Sequence, residues 1–376
     1  LEDLVTLFRN VTGADSTKTE YIFFDEIQYL KNWQIHLKSL VDNSKNTKFI
    51  VSGSAAAALS LKSRESGAGR FTDFLLPPLT FYEYLDLIEQ NHLVRKVCFE
   101  GKTLFQADDI SLLNRHFIDF LNFGGYPEAI FSERIQANPT RFIKRDIIDK
   151  VLLRDLPSLY GISDIQELNR LFTTLAFNTA DEISLQDLSN DSGVAKNTIK
   201  RYLEYLEAAF LIRRVHRIDE SAARFSRVRH FKVYLTNPSM RAPLFSPVKE
   251  NSSELGALAE TAIFSQYFHD EDADLFYSRW KKGEVDIVRL NSLLKPLWAL
   301  EVKWSDRYFS RPGDLSGLRE FCSGNKLKSG WTTTKTRRGS KRIDNLLIHF
   351  IPTSELCYTI GHNIISGKCS LNPDVP

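Results

Sequence analysis

The chain has 376 residues, 43% hydrophobic and 26% charged, a mix that suits two or three soluble globular domains. Lys and Arg number 49 against 47 Asp and Glu, so the net charge of +2 names no partner, and no apolar run is long enough for a membrane helix. Cys98, Cys322, Cys357 and Cys369 form no CxxC pair, which argues against a zinc site or a disulfide framework and suits a reducing cytoplasm.

Leu4, Leu7, Phe8 and Val11 recur at helical spacing and predict an amphipathic helix from Leu1 to Val11. Tyr21-Ile22-Phe23-Phe24 then runs into Asp25-Glu26-Ile27-Gln28. A short apolar run without alternation predicts a parallel strand buried on both faces. Ligands of open α/β sheets bind beyond the carboxyl ends of such strands. There Asp25 can hold the water shell of Mg²⁺, and Glu26 can orient a water toward a phosphate. An acidic turn without chemistry is the simpler alternative. Trp33, Leu37, Leu40 and Val41 mark a second helix, and Lys48 to Ser52 a second buried strand, ending in Gly53-Ser54. Ser54 at that tip can sense a γ-phosphate, unless the pair is only a turn. Gly67-Ala68-Gly69-Arg70 puts a guanidinium on a loop, from which Arg70 can reach a phosphate of this subunit or a neighbour. Leu76-Pro77-Pro78-Leu79-Thr80-Phe81-Tyr82-Glu83-Tyr84-Leu85 follows.

In this order the segments resemble the prokaryotic AAA-type ATPases that carry a DUF4143 C-terminal region. The resemblance implies that Asp25 and Glu26 are the Walker B pair, that Ser52 and Ser54 sit at the sensor 1 position, and that Arg70 belongs to a Gly-Arg motif, all acting on ATP and Mg²⁺. The family's GxxxxGK[ST] loop comes before these segments. This sequence contains no such loop, and its single Met is Met240. Without the phosphate-cradling amides and lysine tight ATP binding is not expected, so the chain is either an ATPase truncated at its N-terminus, which the missing initiator Met favours, or one that has lost the activity.

Residues 91–182 read as a helical linker domain. Phe123-Gly124-Gly125-Tyr126-Pro127 makes a turn inside it that resembles the same family, and Ile143 to Leu159 reads as a packing helix. Ser184 to Val215 reads as helix, turn, helix and strand, a winged helix-turn-helix over 183–237. Lys196, Asn197, Lys200 and Arg201 fall on the polar face of its second helix, where DNA would lie. Ten Lys/Arg against four Asp/Glu between Lys196 and Lys232 favour phosphate contact, with a scaffold or dimerisation role as the alternative. Pro238, Pro243 and Pro247 then suggest a domain boundary.

Residues 238–376 carry the third constellation. Glu260 lies on a helix, Asp286 on a strand, and Glu301-x-Lys303 on the next, where residues two apart share a face. Converging acids bind Mg²⁺ and a lysine stabilises charge at an attacked phosphate. The pattern resembles the PD-(D/E)XK nuclease core, which implies Glu260, Asp286 and Glu301 as metal ligands and Lys303 as the catalytic lysine. A nuclease-like fold that docks without cutting is the alternative. Lys326 to Arg342 holds seven Lys/Arg and no acid, a basic loop able to track a nucleic-acid backbone, and Leu346 to Pro352 is a strand that closes the sheet. The expected whole is α/β: a partial P-loop ATPase sheet over 1–90, the helical and winged-helix middle, and the nuclease-like end. It would couple nucleotide state to a grip on DNA or another protein, in the cytoplasm, with its oligomeric state left open by the sequence. A Mg²⁺-dependent endonuclease and a non-catalytic binding module are the rivals.

Overall fold

The computed structural model describes residues 1–13, 18–53, 70–72, 74, 76–99, 101–219, 230–270 and 273–367. Helix α1 (Glu2–Thr12) carries Glu2 and Asp3 in its first turn and ends on Gly13 at φ 64°, a left-handed cap that glycine adopts without strain. Its apolar stripe faces outward: Leu4, Leu7, Phe8 and Val11 are exposed and only Val5 is buried. Strand β1 (Glu20–Phe24) is followed by α2 (Trp33–Asn43), and β1 pairs in parallel with β2 (Thr47–Val51), Phe24 opposite Val51. The parallel pairing is as expected; burial on both faces is not. Ile27, Trp33 and Leu37 pack with Phe24, Phe49 and Val51, whereas Tyr21 and Phe23 on the other face are exposed. Among the described residues only one face of this pair is covered.

Helix α3 (Phe81–Leu87) opens with a capping box: Thr80 Oγ1 accepts from the Glu83 N–H and the Glu83 carboxylate accepts from the Thr80 N–H. The linker expected to be wholly helical next contains a β-hairpin, β3 (Val94–Phe99) and β4 (Lys102–Ala107), turning at Gly101 with φ 77°. Val97 and Phe99 alternate as in a strand, whereas Val94 lies three before Val97, a spacing that a helix also allows. Helix α4 (Ile110–Phe123) follows, capped by Asp109. Residues Thr140–Asp149 and Val151–Asp155 wind as π-helix, a form that is rare at this length.

After α5 (Ile165–Phe177) come β5 (Glu182–Ser184), α6 (Leu185–Ser192), α7 (Lys196–Ala208), β6 (Ile212–Ile218) and β7 (His230–Leu235). Ser184 caps α6, Gly193 at φ 72° ends it, and β7 pairs antiparallel with both β5 and β6. Helix α8 (Leu255–Gln266) is then followed by β8 (Leu275–Trp280), β9 (Gly283–Leu290), β10 (Pro296–Glu301), α9 (Ser316–Gly324), β11 (Ser329–Thr334), β12 (Gly339–Ile343), β13 (Leu346–Pro352) and α10 (Thr353–Ile365).

Nine strands form one mixed sheet in the order β12-β13-β11-β10-β9-β8-β6-β7-β5. The boundary expected after Asn237 therefore does not separate two sheets, because β6 pairs in parallel with β8 at Arg217↔Tyr277 and Ile218↔Ser278. The proline-rich segment is packed as well. The Gly125 N–H donates to Ser239 Oγ, and the Asn122 amide exchanges two hydrogen bonds with the Val248 backbone. The basic stretch expected as a loop supplies β11 and β12, and β13 lies inside the sheet with β12 at its edge. Among the described residues three apolar layers hold the sheet, one of them packing α5 and α7 onto Ile212, Phe231 and Val233 of β6 and β7. A second joins α3, α4, α8 and α10 around Phe117, Trp298 and Trp331; the third packs α9 through Leu318 and Phe321 onto Val285, Ile348 and Phe350. Each such fully buried side chain contributes about 1.5–3 kcal/mol.

Candidate functional site

The acidic pair stands where the sequence put it, beyond the carboxyl ends of β1 and β2. Asp25 Oδ1 accepts from Ser52 Oγ at 2.5 Å and from the Glu26 N–H at 2.9 Å, so the two strand tips are tied by side chains as well as by their backbones. Glu26 adopts φ 53° and ψ 39°, a left-handed conformation that costs a non-glycine residue energy and is enriched at functional positions. Its carboxylate pairs with Lys150 Nζ at 2.9 Å, and the hydrogen bond and charge of Glu26 raise the Lys150 pKa. Tyr29 donates to Asp155 at 2.8 Å while the Arg154 guanidinium lies 5.0 Å from its ring centroid. The acidic tip is thus docked on the π-helical segment. Arg70 donates to Asp42 at 2.7 Å near the end of α2, and no described contact joins it to Asp25 or Glu26. Ser54 lies outside the described residues.

Lys196, Asn197, Lys200 and Arg201 are all exposed on α7, with Ile199, Tyr202, Leu203 and Leu206 buried on its opposite side. Lys200 has a long i,i+4 pair with Glu204 at 4.0 Å. The stripe is solvent-facing and cationic.

The third constellation converges. Glu260 comes from α8, Asp286 from β9, and Glu301 and Lys303 from the end of β10. Lys303 Nζ is 2.7 Å from Glu301 and 3.6 Å from Asp286, and the Val302 N–H donates to Asp286 at 2.8 Å. A residue that the sequence reading missed sits at the centre. Lys232 of β7, with its side chain 3% exposed, contacts Glu260 at 2.9 Å, Glu284 at 2.8 Å and Asp286 at 3.2 Å. Tyr234, two residues on and so on the same face, donates to Glu260 at 2.6 Å. The visible signal was a lysine inside Phe231-Lys232-Val233-Tyr234-Leu235, a strand otherwise apolar or aromatic.

Glu260, Asp286 and Glu301, expected to hold Mg²⁺, are engaged by lysines here. The space between the carboxylates is taken by the ammonium groups of Lys232 and Lys303. Among the described residues no group of three or more His, Cys, Asp or Glu is disposed to hold a metal ion. The residues present do not fit the metal, and the cations of the cluster are its own lysines. Electrostatics follow from burial. Burial and the neighbouring Asp286 charge raise Glu260 to about 7 and Glu301 to about 8. Burial would also raise Asp286, but Lys232, Lys303 and the Val302 N–H hold it below its ordinary value. Both lysines are raised against the pull of burial, Lys232 chiefly by Glu260 and Lys303 chiefly by Asp286. Beside this cluster, Glu182 of β5 accepts from Tyr277 at 2.8 Å and pairs with Arg217 and Arg279.

Residues 1–85 match the sequence-family model described as an AAA domain, and residues 114–251 match a domain of unknown function, DUF8612. The DUF4143 region expected at the C-terminal end is not what these matches show. An uncharacterized protein of Methanocaldococcus jannaschii is 27% identical over 77% of this chain and 62% of its own length. An uncharacterized protein of Haemophilus influenzae is 26% identical over 53% of the chain and 46% of its own length. A second M. jannaschii protein, also uncharacterized, is 22% identical over 57% of the chain and 47% of its own length. The chain thus spans between 46% and 62% of the length of these relatives. No solved structure matches it. Among the described residues no helix is long and apolar enough to cross a membrane.

Proposed function

We propose that this chain is the greater part of an ATP-binding AAA-type ATPase that couples nucleotide state to its grip on DNA or on another protein. The observation that carries the reading is the Asp25–Ser52 hydrogen bond across the tips of parallel β1 and β2, inside the region that matches the AAA domain. In this reading Asp25 holds the Mg²⁺ water shell, Ser52 fixes the Asp25 carboxylate, and Glu26 orients the attacking water once released from Lys150. The docking of Glu26 and Tyr29 on residues 150–155 is the route by which the nucleotide site would be felt by the rest of the chain. The order α5-β5-α6-α7-β6-β7 supports a winged helix, with the exposed basic face of α7 as its DNA contact.

The C-terminal sheet we read as nuclease-like and DUF4143-related, with Lys232 standing where such a site needs its divalent cation. That favours docking over cleavage. The test is ATP turnover by the polypeptide as its source cell makes it, after its mass and N-terminal sequence are measured. Hydrolysis should fall by ~10²-fold or more in Asp25→Ala and Glu26→Gln. Absence of turnover, or turnover that neither variant reduces, defeats the reading.

A further inference from the structure

The nine-stranded sheet carries a second cationic feature, at the end opposite α7. The seven Lys and Arg between Lys326 and Arg342 are not equivalent. Lys335 pairs with Glu250 and Arg338 with Glu355. Lys341 donates to the Phe309 carbonyl at 2.6 Å, and Arg337 lies 5.2 Å from the Phe309 ring centroid. Lys328 and Arg342 are exposed, and no described ion pair joins either to an acid.

Both line one cleft, where Arg342 is set by strand register and Lys328 by its place just before β11. Arg342 of β12 is opposite Leu347 of β13, and Leu347 is opposite Ser329 of β11. Residues opposite one another present side chains to the same face. Over that face stands the β3–β4 hairpin, whose Lys102 Nζ is 5.4 Å from the Trp331 ring centroid and whose Phe99 meets His349 edge to face. The open cleft has a volume of about 550 Å³, with Lys102, Lys328, Arg342, Asn345, Leu347 and His349 around Ser329. Among the described residues no carboxylate lines it. Asp344, next to Asn345 in the chain, is bonded to Arg319 at 2.8 Å.

We propose that this cleft, between the β3–β4 hairpin and the β11–β13–β12 face, binds the phosphodiester backbone of a nucleic acid. Lys328 and Arg342, with hydroxyl and amide donors between them, suit phosphate oxygens, which together with the sugars take most protein–nucleic acid hydrogen bonds. A metal ion would be repelled by these cations, and Leu347 adds an apolar wall against which a sugar or base can rest. The cleft is independent of ATP hydrolysis and distinct from the α7 face. Five strand spacings separate β13 from β6, about 24 Å.

The experiment is anisotropy of a fluorescein-labelled single-stranded oligonucleotide, titrated with the full chain at several salt concentrations. Lys328→Ala with Arg342→Ala should weaken binding ~10-fold at low salt and reduce the salt slope by roughly 1.4, two phosphates at about 0.7 each. The same loss should appear in a Lys200→Ala, Arg201→Ala background, which separates the cleft from α7. Lys326→Ala, in the same chain segment but not lining the cleft, should change nothing. The proposal is overturned if the oligonucleotide does not bind, or if affinity and slope survive the double substitution. It is overturned also if polyglutamate at equal charge competes as well, which would indicate an acidic protein partner. Inorganic phosphate that competes equally per phosphate would reduce the cleft to a small-anion site and overturn it too.

Discussion

Lys232 and Glu260, on β7 and α8, meet at 2.9 Å with Asp286 on the far side of the same ammonium group. The contact joins the strand that ends the helix-turn-helix unit to the centre of the C-terminal sheet. Removing one partner of a buried charge set leaves the others uncompensated, which costs about 3–5 kcal/mol. Lys232→Met should therefore lower stability by that amount in urea titration. Adding Glu260→Gln and Glu284→Gln to Lys232→Met should recover part of it. A Lys232→Met protein as stable as the parent would show that the ammonium is not what balances these acids.

The same contact predicts a metal response. Cations that bind only the folded state stabilise it by mass action. Millimolar Mg²⁺ or Mn²⁺ should leave the melting temperature of the native chain unchanged through this site. Lys232→Ala should gain a Mn²⁺-dependent rise that Asp286→Ala removes. Stabilisation of the native chain by either ion, lost in Asp286→Ala, would mean that the lysine yields its place to the metal.

Acidity should act on the cluster with a definite sign. Glu260 and Glu301 are raised to about 7 and about 8 from an ordinary 4.5. The folded state holds their protons more tightly than the unfolded chain does. Their contribution to stability is fully present below 4.5 and is lost as pH rises through 7 and 8. Asp286 works in the opposite sense but below its ordinary 3.8, outside that window. The urea midpoint should fall between pH 5 and pH 8.5 and flatten in Glu301→Gln. A midpoint that climbs over this range, or a slope untouched by the substitution, contradicts the assignment.

Gly125 is held by close approach rather than by its backbone angle. A Cβ there would lie 1.3 Å from Asn237 Nδ2, while a Cβ on Gly256 meets nothing within 4 Å. Gly125→Ala should cost about 3 kcal/mol, at the upper end of overpacking effects. Gly256→Ala should stay within about 0.5 kcal/mol, as open sites do. Equal unfolding midpoints for the two variants would show that Asn237 moves aside freely.

The strands β1 and β2 and the helices α6 and α7 were legible because their signals are local: apolar runs, a serine cap, a glycine stop. Asp25 and Ser52 were found because both stand at strand ends, where chemistry concentrates. The β3–β4 hairpin was misread because neither strand alternates cleanly: Val94 and Val97 are three apart, and Leu104 and Phe105 are adjacent and both buried. Lys232 was missed for another reason. Its neutralising acids are 28, 52 and 54 residues away in sequence, on elements that meet only in the folded sheet. The basic segment 326–342 looked like a loop because its strands are built from Thr, Ser, Gly and Lys, which carry little apolar period. Its division into engaged and free cations depends on partners such as Glu250 and Glu355, far along the chain.

Among the described residues the β6–β8 seam consists of two paired positions, Arg217↔Tyr277 and Ile218↔Ser278. The β10–β11 seam also has two, Leu300↔Trp331 and Glu301↔Thr332, and the other adjoining pairs share at least three. Side chains rivet the β6–β8 seam: Glu182 to Arg217, Arg279 and Tyr277 on one side, Lys232 to Glu260, Glu284 and Asp286 on the other. Tension applied to α7 by a bound polymer would reach the C-terminal strands largely through those rivets. The sheet is continuous in hydrogen bonding but jointed in mechanics, and the joint is made of charge.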